Sequence, residues 1–209
     1  MSPRPRKASD DDVFATAVRV MGRVGPAELT LAAIAAEAGL TAGALVQRFG
    51  SKLELLRDMS RRASAEPHDY AAEFRAAHAS PLAALRAYAR CFAALAPTPA
   101  ALARNLAYLQ LDLADRQLHA PLLRQARVTR DGYRRLLAEA RDVGELVPEA
   151  DVDALARLVD TAVSGSLMTW AVFREGKAAD WIGHDVEQAL GPYLVPSAVP
   201  GRGGRGRKR

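Results

Sequence analysis

The stretch GLTAGALVQRFGSK, residues 39–52, places a capping threonine, a run of small residues and a terminating glycine within little more than two helical turns. Thr41 can accept a hydrogen bond from a first-turn amide, and Gly50 can take the left-handed conformation in which many helices end. Leu45 and Phe49, four residues apart, fall on one face and predict a buried side. The opposite face carries Ala42, Gly43, Val46 and Gln47, with Arg48 near its end. Ala42, Gly43 and Ala44 leave the leading edge of this helix nearly bare, although Gly43 costs about 1 kcal/mol relative to alanine in a helix interior. A helix stripped at its N-terminal turn can bring its axis close to base edges, and that turn is the part of a recognition helix that enters the major groove. The bland alternative is an incidental weak spot in a small helical core.

The flanking residues supply the rest of a helix-turn-helix. Thr30 caps a helix running to Ala38, and Gly39 makes the tight turn into the next. Ile34, Ala35, Leu40, Leu45 and Phe49 can bury against a preceding helix that starts at Ser9 and Asp12, shows Phe14, Ala17, Val18 and Met21 on one stripe, and stops at Gly22. Downstream, Ser51 and Glu54 form a capping-box pattern for a fourth helix through Leu55, Leu56 and Met59 to about Ala65. Lys52 opens that helix, where the positive end of the helix dipole disfavours a cation. A phosphate shared between the ammonium group and the amides of residues 51–53 would reverse the sign, whereas an ordinary surface lysine would need no partner.

Beyond residue 65 the apolar spacing stays at three and four residues, so the chain reads as all-α, with about nine helices. Ser80-Pro81 starts a fifth helix with Leu82, Leu85, Tyr88, Phe92 and Leu95; Leu102, Leu106, Leu109 and Leu113 mark a sixth. A seventh runs from near Pro121 to Val143-Gly144, an eighth from Asp151 to Phe173, and a ninth from about Ala179 to Leu194. Charge is uneven along the chain: residues 1–62 carry 10 Lys and Arg against 7 Asp and Glu, residues 63–200 carry 14 against 17, and residues 201–209 carry 5 against none. Basic ends around a slightly acidic middle suit a polyanionic partner, double-stranded DNA among them, or a solvated surface. The arm with Arg4, Arg6 and Lys7 can reach a groove or add phosphate attraction, and GRGGRGRKR closes the chain as a flexible basic tail.

The same residues exclude several classes. No apolar run approaches the roughly 18 residues of a membrane span, and three aspartates follow the basic start where a secretory signal would be apolar, so a cytoplasmic protein without membrane association is expected. Cys91 stands alone and has no disulfide partner. His68, His78, His119 and His184 are scattered, with no helical metal pair, so no metal, no cofactor and no catalytic residue is expected.

The run LTLAAIAAEAGLTAGALVQRFGSKLELL resembles the DNA-binding domain of TetR-family transcriptional repressors, whose pattern Thr30, Ile34, Ala35, Ala38, Gly39, Leu45, Phe49, Ser51, Lys52 and Leu55 follow in order. The stretch from Ala140 to Leu146, with Asp153, Leu155, Ala156, Gly165 and Trp170, is similar to the second half of these proteins. One position departs: where the family usually has tyrosine, this chain has Val46, which shifts base reading toward Gln47 and Arg48. The resemblance implies a helix-turn-helix domain over residues 1–50, a ligand-binding and dimerisation domain over 51–196 with residues 51–65 as connector, and a tail from 197. DNA-contacting residues would be Thr30, Thr41, Ala42, Gly43, Ala44, Val46, Gln47, Arg48 and Lys52. It further implies a homodimer on a pseudo-palindromic operator, released by a small, largely apolar effector. Tyr88, Phe92, Tyr108, Leu109 and Trp170 are plausible pocket lining. Val159, Ala162, Val163, Ser166, Leu167, Ile182, Val186, Ala189, Leu190 and Tyr193 are expected at the subunit interface, with intramolecular core as the other reading of those stripes. The alternative function is a helical carrier or protein-interaction module without sequence-specific DNA binding.

Overall fold

The computed structural model describes residues 8–63, 65 and 68–196; the basic arm and the tail lie outside the described residues. Among these residues the fold is all-helical, with ten α-helices, two 3-10 turns and no strand. The head contains α1 (Asp10–Arg23), α2 (Leu31–Glu37), α3 (Ala42–Phe49) and α4 (Lys52–Ala63). Its entry is the capping box read from sequence: Asp12 N–H donates to Ser9 Oγ at 3.1 Å, and Ser9 N–H donates back to Asp12 Oδ2 at 2.8 Å. The second box is only half formed. Glu54 N–H donates to Ser51 Oγ at 3.2 Å, but the Glu54 carboxylate accepts from Arg57 instead of returning to the cap. Val13, Ala17, Leu29, Ile34, Leu45 and Leu55 are fully buried in the core of the head, and Phe14 packs on Phe49 with ring centroids 5.7 Å apart.

The body is built from α5 (Tyr70–Ala77), α6 (Pro81–Cys91), α7 (Pro99–Ala114), α8 (Arg116–Asp142), α9 (Val152–Phe173) and α10 (Ala178–Leu190). Helix α5, capped by Asp69, is the element missing from the nine expected, because an eight-residue helix that buries only Ala71 leaves almost no periodic signal. Helix α8 begins five residues before Pro121. Asp115 caps it by accepting from Gln117 N–H and Leu118 N–H at 2.9 and 3.1 Å, and this start outweighs the one helical hydrogen bond that proline removes. Tyr88 and Tyr133 sit at the centre of the body, with ring centroids 4.9 Å apart and Leu85, Leu137, Leu155 and Ile182 around them. Burial raises the pKa of both phenols above the usual tyrosine range.

Head and body share packing. Leu118 of α8, with Tyr108 and Leu111 of α7, closes the head's own core, so α4 belongs to the head by its buried residues and to the junction by its half-buried Arg57 and Met59. Arg57 on α4 donates from Nε to Asp115 Oδ1 at 3.3 Å and pairs with Oδ2 through its terminal nitrogen. That hydrogen bond to Arg57 is the main reason the Asp115 carboxyl lies below the usual carboxylate range. A depressed folded value contributes stability above the ordinary carboxylate pKa and loses it as pH falls through the folded value. Asp115→Asn is therefore expected to flatten the acid limb of a thermal-stability profile relative to wild type while leaving the alkaline limb unchanged.

Candidate nucleic-acid interface

The turn between α2 and α3 is set by backbone geometry. Ala38 ends α2, Gly39 adopts φ +67°, and Leu40 N–H donates to Ala35 O at 2.8 Å, a Schellman closure that only a residue tolerant of left-handed backbone makes without strain. Thr30 and Thr41 cap their helices as expected, their hydroxyls accepting from Ala33 N–H at 3.0 Å and Ala44 N–H at 3.1 Å. Arg19 and Arg23 of α1 hold Glu37 at the end of α2, fixing the angle at which the pair is presented.

On α3, Leu45 and Phe49 point inward, while Thr41, Ala42, Gly43, Ala44, Val46, Gln47 and Arg48 are exposed. A Cβ built on Gly43 would meet no atom within 4 Å. The bare tip is thus a surface feature, not a tight fit within the head. Val46 is 51% exposed, an apolar side chain standing where the protein gives it nothing to cover. Two expected contacts sit differently from the sequence reading. Arg48 is engaged by the start of α1: its guanidinium pairs with Asp10, donates to Ala8 O at 2.8 Å, and lies 5.4 Å from the centroid of the Phe49 ring. Lys52 Nζ donates to Pro26 O at 2.8 Å, anchoring the loop between α1 and α2. Both partners are loop or helix-start groups far away in sequence, which no local pattern reveals.

Residues 13–59 match the family model described as bacterial regulatory proteins, tetR family. The N-terminal domain belongs to the TetR family. No curated protein matches the chain. Among solved structures, similar folds include SmeT, the repressor of the Stenotrophomonas maltophilia multidrug efflux pump SmeDEF, at 24% identity and TM-score 0.65, covering 93% of this chain and 95% of that one. A TetR transcription regulator from Haloarcula marismortui aligns at 15% identity and TM-score 0.71, covering 89% and 98%. FadR from Bacillus subtilis in complex with stearoyl-CoA aligns at 16% identity and TM-score 0.65, covering 87% and 98%. At these identities the likeness establishes that the TetR-type fold extends through the body, beyond the matched head.

Within that TetR-type body, the residues expected to line one pocket are dispersed. Tyr88 is 1% exposed and packed by Phe74, Phe92 and Tyr133; Trp170 belongs to a separate cluster with Ala96, Leu102 and Ala178; Tyr108 lies at the head, its hydroxyl donating to Val24 O at 3.1 Å; Leu109 is half-buried on α7. Most of the stripe expected at the subunit interface lies inside the chain. Val159, Val163, Ser166, Ile182, Val186 and Leu190 are buried within the chain's own core, where α9 packs on α10, and Ser166 Oγ donates to Asp185 Oδ2 at 2.6 Å. Ala162, Leu167, Ala189 and Tyr193 are half-buried at its margin. Periodicity identified an apolar face and could not say whose core it joins. The exposed face of α9 is another one: Leu158, Thr161, Gly165, Met168 and Val172 recur at spacings of three and four, with Met168 49% and Val172 76% exposed.

Proposed function

We propose that the protein is a ligand-responsive, DNA-binding transcriptional regulator, a repressor in its basal role, that binds a pseudo-palindromic operator as a homodimer. The observation carrying this reading is the exposed, side-chain-poor tip of α3 on a TetR-type head, with Gln47 beside it. In a major groove, Gln47 can pair with adenine, Val46 can contact a thymine methyl, and the amides at the tip can approach the backbone closely. Thr30, Thr41 and Lys52 would position the head on phosphates, Lys52 exchanging the Pro26 carbonyl for a phosphate oxygen. Arg48 acts by holding the start of α1 and joins the DNA only if that pairing opens.

The second copy is assigned to the exposed stripe of α9. Leu158, Thr161, Gly165, Met168 and Val172 follow the three-four alternation of a helix-packing seam, and Gly165 permits close approach. Such a dimer presents two recognition helices to major-groove faces about 34 Å apart, the geometry of an inverted repeat. A small effector that prefers one disposition of the heads then opposes the operator by linkage.

Selection of bound duplexes from a random pool tests the whole reading. Recovery of an inverted repeat supports it; recovery of unrelated sequences overturns it. On the recovered site, Gln47→Ala is expected to change preference at one base pair by roughly 1 to 3 kcal/mol, whereas Lys52→Ala weakens all duplexes alike and lowers the salt dependence by about one phosphate contact. Uniform effects from both would remove base reading from α3.

A further inference from the structure

A groove of about 550 Å³ opens between α1 and α4 of the head and α7 and α8 of the body. Its walls include Phe14 and Val18 from α1, Met59 from α4, and Tyr108 and Leu111 from α7, all apolar where they face it. Val18 is 60% exposed, and the Tyr108 hydroxyl is turned away to the Val24 carbonyl, leaving its ring to the groove. One carboxylate, Asp112, interrupts this apolar lining. Burial pushes its pKa up, and no cation or donor among the described residues offsets that. The other two charges lining the groove, Asp11 and Arg62, pair with each other at 3.2 Å, with the Arg62 guanidinium 5.5 Å from the centroid of the Phe14 ring. The groove therefore carries one uncompensated negative charge in otherwise apolar surroundings.

We infer that this groove binds a lipophilic organic cation, its apolar body against Phe14, Val18, Met59, Tyr108 and Leu111 and its positive centre beside Asp112. A neutral apolar molecule would leave the carboxylate desolvated and unpaired, and an anion would be repelled by it. The aromatic ring of Tyr108 adds attraction for a quaternary ammonium centre. The volume falls within the usual range of about 300 to 1,000 Å³ for small-molecule sites. Because head and body supply opposite walls, a bound molecule distinguishes one head orientation from another. Its effect on DNA rests on the regulator reading above, while the binding itself does not.

Calorimetric titration of the full-length protein with three probes tests this: (6-phenylhexyl)trimethylammonium, 6-phenylhexanol and 6-phenylhexanoate. The cation is expected to bind best and the carboxylate worst. Asp112→Asn should weaken the cation by roughly tenfold or more and leave the alcohol unchanged, since it removes charge at constant shape. Ala15→Trp, introduced at an exposed position lining the groove, should weaken both. Equal affinity for all three probes, or undiminished cation binding by Asp112→Asn, overturns the inference. Duplex binding by the same preparations separates the two readings. Cation binding at the groove in a protein that selects no duplex leaves the groove site standing and removes the regulator; selective duplex binding without cation binding does the reverse.

Discussion

Gly165→Arg on α9 is expected to yield a folded monomer whose operator binding is weaker by roughly 100-fold or more, because half of the base contacts are lost at about 1 to 3 kcal/mol per base pair. The chain itself has room for the change. Gly165 is exposed, and a Cβ there meets no atom within 4 Å, so the arginine stem enters solvent rather than the core. Replacing glycine inside a helix by a good helix former should raise monomer stability by up to about 1 kcal/mol. The proposed subunit seam would have no such room. At a two-fold axis each arginine would face the partner's copy across a strip otherwise formed by Leu158, Met168 and Val172, and two like charges would be desolvated together. Sedimentation equilibrium should then report a monomer, thermal melting an unharmed fold, and duplex titration the lost affinity. A dimer of wild-type strength would move the seam off this face of α9.

The head was largely legible because its determinants are local. Thr30, Thr41, Gly39 and Gly50 each fix a cap or a turn through neighbours within four residues, and those side chains behave as their types dictate. What escaped was long-range. Arg48 finds Asp10 and the Ala8 carbonyl, Lys52 finds Pro26, and Arg57 finds Asp115, in each case a partner that only the fold brings near. The body was less legible for a related reason. Periodicity located the apolar stripe of α9, but α9 carries two stripes, and the more hydrophobic one is consumed by α10 inside the same subunit. The weaker one, with threonine and glycine among its members, stays exposed and is the stripe proposed for the second copy. A glycine in mid-helix gave no sequence signal distinguishing Gly165, open to solvent, from Gly132, which is packed.

Gly132→Ala shows what that packing is worth. Glycine inside the 27-residue α8 sacrifices about 1 kcal/mol of helix propensity, so alanine there ought to stabilise if the site were open. It is not open: an added Cβ would lie 2.6 Å from the Ala71 Cβ of α5 and 3.6 Å from Tyr88 Cε1. The Ala71 methyl has no rotamer to yield, so relief requires moving α5 off α8 and disturbing the Tyr88–Tyr133 contact beneath. Overpacking of this kind costs about 1 to 3 kcal/mol, enough to exceed the propensity gain. Gly132→Ala is accordingly expected to destabilise the protein in urea unfolding. In an Ala71→Gly background the obstructing methyl is gone, only the propensity gain of Gly132→Ala remains, and the same substitution should become neutral or stabilising. The sign reversal, read as a coupling between the two positions, isolates helix contact from general damage to α8. Destabilisation of equal size in both backgrounds would show that Ala71 is not what requires glycine at position 132.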